Sequence, residues 1–478
     1  MHRSSHLKPD AVLRRIADYV CDYQPRSGAA YRMARVCLLD AIGCALHALE
    51  EPECARLLGP VVPGTIVPYG ARLPGTSFRL DPVTAAFNFG LLIRWHDFSD
   101  AFTGAQPSHP SDNVGALLAV ADHLSQLRRA AGKPPMTMRN LMAWLIKAYE
   151  IHGALGLKNG FYDVGLDQVP LVEVASAAVT ARMLGADRAE VISAVSNAFA
   201  DGASLAIYRR APHAGTRKNW AGPDGSARGV QLALRAVKGE QGYPTVLSTP
   251  IWGFEAVLNH DRKIQLPASL GCFVVNNVQF KVKFPTVFNA QTAGECAVEL
   301  HAAVSNRINQ IKRIVIRAHS TSIRLNGREG PLRNSAERDH SLQYVVAIGL
   351  LHGMIAANMY QDDFARDPRI DLLRSKMVLI ENPRYTADYA NPKILSSANA
   401  VEVQFEDGTT TGKMERAFPI GHPRRRAAAL PLLEEKFRVN VARRLPDNRV
   451  RHDLMRTCMS QAVFERTPVD EFMAMLSL

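Results

Sequence analysis

A mainly α fold is predicted, with a large all-helical domain built from both ends of the chain and an α+β lid module inserted between them. Three observations along the 478 residues carry it. Residues 9–270 read as helices separated by short Gly- and Pro-bearing loops. Residues 171–184 are Ala-rich and apolar nearly all round, the mark of a buried helix. Gly185 stops it, and Asp187 with Glu190 forms an acidic capping box for a second helix reaching Ala200. The loops 104–110, 158–170 and 211–225 hold most of the unusual polar residues. Near residue 280 the texture changes. Residues 311–318 (IKRIVIRA) are β-branched at strand spacing, 401–405 alternate, and Asp407-Gly408 supplies a hairpin turn. A helical stretch, 341–359, lies between them. After Arg426 the pattern is helical again over 430–444 and 450–478. These helices are too few for a core of their own, so they return to the first domain. The expected boundaries are 1–278, 279–424 and 425–478.

Composition excludes several classes. Hydrophobic residues at 47% and charged residues at 21% are the balance of a globular protein. No apolar run approaches the roughly 18 residues of a membrane span. Residues 1–10 are polar and contain two histidines, so no secretory signal is read there. The seven cysteines (21, 37, 44, 54, 272, 296, 458) show no CxxC spacing. That scatter fits a reducing cytoplasm and argues against an iron–sulfur cluster. No metal and no cofactor are expected. The net charge of +12 has one tight cluster, Arg424-Arg425-Arg426. It reads as a field that draws a small polyanion into a cleft, with no nucleic-acid partner. No Walker loop, dinucleotide fingerprint, nucleophile elbow or HExxH helix is present.

Five segments stand out, the first four as candidates for chemistry. Arg94-Trp95-His96-Asp97-Phe98-Ser99-Asp100 and Ser108-His109-Pro110-Ser111-Asp112-Asn113 gather carboxylates and imidazoles, as an acid–base pair needs. The same residues could instead cap helices, with Ser111 or Asp112 starting the helix over 113–127. The loop 209–220 contains Arg209, Arg210, His213, Arg217 and Lys218 around Gly215, and suits carboxylate binding. Lys281 and Lys283 point the same way if their segment is extended. Tyr344 follows His340 by one helical turn and is a candidate proton donor, or else a core residue. Residues 419–426 read as a structural turn.

Taken in order, these segments resemble the MmgE/PrpD family, in its 2-methylcitrate-dehydrating branch. The resemblance rests on Leu39-Asp40-Ala41-Ile42-Gly43, Gly75-Thr76-Ser77, Leu80-Asp81-Pro82, the DFSD and HPSDN stretches and Gly215-Thr216-Arg217-Lys218-Asn219-Trp220. It continues through Lys283-Phe284-Pro285, Arg338-Asp339-His340, Gln343-Tyr344 and Pro419-Ile420-Gly421-His422. It spans essentially the whole chain. It implies an active site between the two domains, a homodimer and no metal. By position it implies Asp97, His109, Lys218, Lys283 and Tyr344 as catalytic residues. Ala101, Gln168 and Asn289 stand where that pattern has Thr, His and His.

The activity so implied is loss of water from a tricarboxylate, 2-methylcitrate to 2-methyl-cis-aconitate, with citrate as a possible second substrate. Lys218, Lys283 and Arg217 are expected to stabilise the enediolate-like charge. Asp97 and His109 would move the protons, with Tyr344 as the alternative acid, and Gln168 and His340 would contact substrate. Two rivals remain at this stage: a decarboxylase or epimerase on the same scaffold, and a tricarboxylate-binding pseudoenzyme.

Overall fold

The computed structural model describes residues 7–210, 212–391, 393–445 and 447–478. The first six residues, part of the stretch read as lacking a secretory signal, lie outside the described residues, as does Ala211 of the basic loop.

The first part of the chain forms α1 (Ala11–Asp22), α2 (Gly28–Ala48), α3 (Pro82–Arg94), α4 (Val114–Ala130), α5 (Met138–Lys158), α6 (Val169–Met183), α7 (Arg188–Ala200) and α8 (Arg217–Ala236). Helix α6 is the buried one: every residue from Val169 to Ala181 is buried, between α5, α7 and α8. Gly185 ends this stretch with φ of 103°, a conformation glycine adopts freely. Asp187 and Glu190 form the expected box at the start of α7, each side chain accepting the other's backbone N–H. Ser111 and Asp112 cap nothing. A 3-10 turn, Pro110–Asn113, precedes α4, whose first residue has no side-chain cap.

The second module holds α9 (Gln291–Val304), β1 (Ile311–Ala318), α10 (Leu342–His352), α11 (Pro368–Ser375), β2 (Met377–Glu381), β3 (Asn399–Phe405) and β4 (Met414–Arg416). The sheet order is β2-β1-β3-β4. β1 runs parallel to β2 and antiparallel to β3, and β3–β4 is antiparallel. The helix foreseen over 341–359 stops at His352, because Gly353 takes a left-handed conformation. Helices α9 and α10 cover one face of the sheet and share its core with Ile314, Ile316, Val401 and Val403.

Two main hydrophobic cores result, beside three small clusters among the described residues. The larger includes Val278, Phe280 and Val282, then resumes at Ile420 and continues to Leu476. The smaller spans Phe284 to Phe405. Helices α12 (Arg426–Arg444) and α13 (Val469–Leu476) lie against α2 and α4. The two crossings between cores are pressed together. The Phe280 N–H donates to the Gly421 carbonyl at 3.1 Å, and a Cβ on Gly421 would stand 1.9 Å from the Phe280 oxygen. No helix among the described residues is long and apolar enough to cross a membrane.

Candidate active site

A cleft opens between the modules. One wall carries Asp97, Ala101, Ser108, His109, Arg209 and Arg210, and the other carries Val287, Asn289, Asn326 and His340. Arg94 ends α3, and the chain then turns sharply. Asp97 has φ of 49°, a left-handed conformation that aspartate tolerates and that marks a constrained site. Its carboxylate is buried and fully engaged. Arg94 Nη1 donates to Oδ1 at 2.6 Å, and Lys281 Nζ donates to the Asp97 carbonyl at 2.8 Å and pairs with Oδ2 at 2.7 Å. Burial pushes the Asp97 carboxyl up, but Lys281, Arg94 and His109 outweigh it and hold it well below the usual range. Lys281 falls to about 8, since burial costs it more than Asp97 returns. At neutral pH the pair is therefore ionic.

His109 comes next in the wall. Its Nδ1 lies 2.6 Å from the Asp100 carbonyl. A carbonyl only accepts, so Nδ1 carries the proton and Nε2 is left as a free base. That Nε2 stands 3.9 Å from Asp97 Oδ1. Burial, then the Arg94 and Lys281 charges, hold the imidazole well below 6.5. Gln168 fixes the backbone here: its Oε1 accepts the His109 N–H at 2.9 Å and its Nε2 donates to Asp112 Oδ2 at 2.5 Å. Asp112 in turn pairs with Arg94 Nε at 3.1 Å. Gln168 thus lies behind His109, where it orients and does not titrate.

The opposite wall mirrors this arrangement. His340 Nδ1 donates to Asp339 Oδ1 at 2.6 Å, and Lys218 Nζ donates to Asp339 Oδ2 at 2.7 Å. Burial raises the Asp339 carboxyl, but Lys218 and His340 bring it below the ordinary value. Burial and Lys218 lower His340 to about 4 against the pull of Asp339. The Asp339 carbonyl is held by the Thr286 hydroxyl at 2.7 Å. Asn289 lines the cleft and donates to Asn326 Oδ1 at 3.1 Å, and Asn326 donates to the His340 carbonyl at 3.3 Å. Each wall therefore presents one imidazole with Nδ1 occupied.

Several sequence-derived assignments change. Lys283 is exposed and lines a separate hollow with Glu50, Glu435 and Arg443. Lys281, fully buried, occupies the place assigned to it. Alternation along an extended segment would put both lysines on one side, but the chain bends at Lys283, where it crosses from Phe280 and Val282 of the first core to Phe284 of the second. Tyr344 is buried in that core. Its hydroxyl donates to the Met359 carbonyl at 2.7 Å and its ring packs on Tyr360, outside the cleft. Arg217 stacks over Trp220 at 4.2 Å and Tyr208 at 5.3 Å, half exposed, so its charge is spent on aromatic faces. Asp97, His109, Lys218, Gln168 and His340 do converge.

Sequence reasoning assigned no site role to Asp167 and named Arg94, Asp112, Arg209, Lys281 and Asp339 only as members of the segments singled out. Arg209 Nε bridges both Asp167 oxygens at 2.8 and 2.9 Å. The clue available was charge amid apolar neighbours, as in Phe280-Lys281-Val282. Among the described residues, no group of three or more His, Cys, Asp or Glu is placed to hold a metal ion.

A helical domain joined to an α+β module, with an acid–base cleft at the junction, defines the class. Family models bear this out: the MmgE/PrpD N-terminal domain matches residues 14–267 and the MmgE/PrpD C-terminal domain matches residues 284–461. The chain belongs to the MmgE/PrpD family. It is 48% identical over 473 residues to 2-methylcitrate dehydratase of Cupriavidus necator, covering 98% of both chains. It is 48% identical over 461 residues to 2-methylcitrate dehydratase of Salmonella typhimurium, covering 96% of this chain and 95% of that one. A mitochondrial 2-methylcitrate dehydratase of Yarrowia lipolytica is 44% identical over 446 residues, covering 92% and 86%.

Proposed function

We propose that this protein is a hydro-lyase that removes water from 2-methylcitrate to give 2-methyl-cis-aconitate, in the cycle that degrades propionate. The observation that carries the reading is the fixed tautomer of His109, a neutral base aimed into a cleft lined with cations. His109 Nε2 takes the carbon-bound proton beside a substrate carboxylate. The growing enediolate charge is met by Arg210 at the rim and by the buried Lys281 and Lys218. His340, backed by Asp339, returns a proton to the departing hydroxyl. Burial and Lys218 hold its pKa low. A tricarboxylate beside it favours the imidazolium and brings it toward the working range. Asp97, locked between Arg94 and Lys281, is too weak a base to move the proton and serves to hold Lys281. The cleft lies between a helical domain and a lid, with boundaries near 279 and 424 supported by the two cores. A cytoplasmic homodimer is the working form we propose. Its support is the resemblance and the exposed apolar side chains of Ile251 and Trp252.

The test is direct. Purified protein mixed with 2-methylcitrate should produce the absorbance of the conjugated product, with the same rate after chelation. A chain that binds the substrate but produces no absorbance is a pseudoenzyme. Rate loss on chelation, restored by iron, overturns the cofactor-independent reading.

A further inference from the structure

Two buried apolar residues that line the catalytic cleft, Ala101 at 4% exposure and Phe288 at 8%, belong to none of the hydrophobic clusters among the described residues. The backbone around Ala101 fixes where its methyl points. Ala101 pairs with Gln279 and Phe102 pairs with Ser108, so consecutive residues bond to opposite edges and the segment is extended. Side chains then alternate. The Phe102 ring enters the first core, beside Gly153 and edge-on to Phe273, which turns the Ala101 methyl to the other face. The antiparallel pairing of Phe102 with Ser108 sets Ala101 opposite His109, itself extended with φ of -130° and ψ of 91°. Such cross-strand neighbours share a face, with Cβ atoms roughly 4.5–5.5 Å apart. The Asp100 carbonyl, next to Ala101, accepts from His109 Nδ1 at 2.6 Å and holds the ring at that spot.

Phe288 and Leu325 come from the opposite wall, and Leu325, half-buried, belongs to no cluster either. Much of the remaining lining is polar or charged, with His109, Arg210, Asn289 and His340. A carboxylate is well placed against those groups and poorly placed against bare carbon, where its lost hydration goes unreplaced. A methyl group has the opposite preference. In the dehydration proposed above, on which the next step rests, the methyl of 2-methylcitrate ends on a carbon of the new double bond. The proton therefore leaves the carbon that bears the methyl. With that proton directed at His109 Nε2, the methyl is two bonds from it, within reach of the side chain beside His109. We propose that Ala101, with Phe288 and Leu325, seats the substituent on that carbon. The small side chain at 101 lets a methyl group occupy a place that citrate fills with hydrogen, and so sets which tricarboxylate is preferred.

Initial rates on 2-methylcitrate and on citrate give the ratio of kcat/KM for the two. Where citrate binds without turnover, its inhibition constant takes the place of its kcat/KM. Ala101→Val fills the seat. It should lower kcat/KM for 2-methylcitrate by about 10–200-fold, the range for one methylene too many or too few in an apolar pocket. Citrate should stay near its original values. Should the valine variant not fold, Leu325→Ala decides. It removes contact with the methyl and should move the ratio in the same direction. Lys283→Ala, outside the cleft, should leave the ratio unchanged. An unchanged ratio in the deciding variant, equal losses on both substrates, or the same shift in Lys283→Ala overturns the seat and leaves the dehydratase reading standing. No turnover of either substrate by the unsubstituted chain overturns the dehydratase reading, and the seat with it.

Discussion

His109 makes one side-chain hydrogen bond, to a backbone carbonyl, so its loss should touch chemistry more than folding. His109→Gln is expected to lower turnover on 2-methylcitrate by about 10²–10⁴-fold, the usual range for a general base, with little change in melting temperature. The lysines separate more sharply. Lys283→Ala removes an exposed charge and should leave turnover near normal. Lys218→Ala strips Asp339 of its buried partner, so it should both slow turnover and cost roughly 3–5 kcal/mol of stability. Steady-state rates beside thermal melts of the three variants check this. A slow Lys283→Ala with a normal Lys218→Ala would reverse the assignment. The residue types at the site were legible because imidazoles and charges crowd two short loops. Which lysine is buried was not, since an extended segment would treat both alike and only the bend at Lys283, between the first core and the second, separates them.

At the scale of elements, long patterns were legible and short ones were not. Strand β1 lies where its β-branched run puts it, and α7 lies where its capping box starts it. Strand β2 was missed. Five partly exposed residues at the edge of a sheet carry little alternation, and the parallel pairing that defines them is made to a partner over sixty residues away. The turn 419–426 read as structural, and the geometry at Gly421 explains why. A methyl on Gly421 cannot fit beside the Phe280 carbonyl. Gly421→Ala should therefore separate the two crossings and destabilise the fold by a few kcal/mol, on the order of a core overpacking defect. A denaturant melt with unchanged midpoint would remove this contact from the account.

The whole molecule carries buried histidines held neutral. Burial lowers His47, His340 and His422 to about 4, and His96, His152 and His319 to about 3. Each binds a proton more readily unfolded, so its contribution is present above 6.5 and is lost as pH falls toward its folded value. The slope is about 1.4 kcal/mol per pH unit for each such group. Burial raises Asp100 and Asp122 to about 6 and Glu173 to about 8, which acts the other way. The histidines are more numerous and dominate below pH 6. Melting temperature should drop steadily from pH 6.5 to pH 4, and a flat profile would show that these imidazoles reach water.

Lys436, on α12, ties together the segments that carry Asp97 and Lys281. Its Nζ donates to Asp40 Oδ1 and the Phe98 carbonyl at 2.7 Å, and to the Lys281 carbonyl at 3.0 Å. Those partners lie 396, 338 and 155 residues earlier in the chain. Synthesis delivers them in that order, at about 5–20 residues per second. The tie between these segments therefore stays unmade for tens of seconds while the rest is still being made. A nascent chain holds its substrate-facing residues long before it holds the clasp that sets their spacing. Catalytic competence should switch on abruptly near the end of translation, not grow with length, and arrested chains ending before residue 436 should be silent.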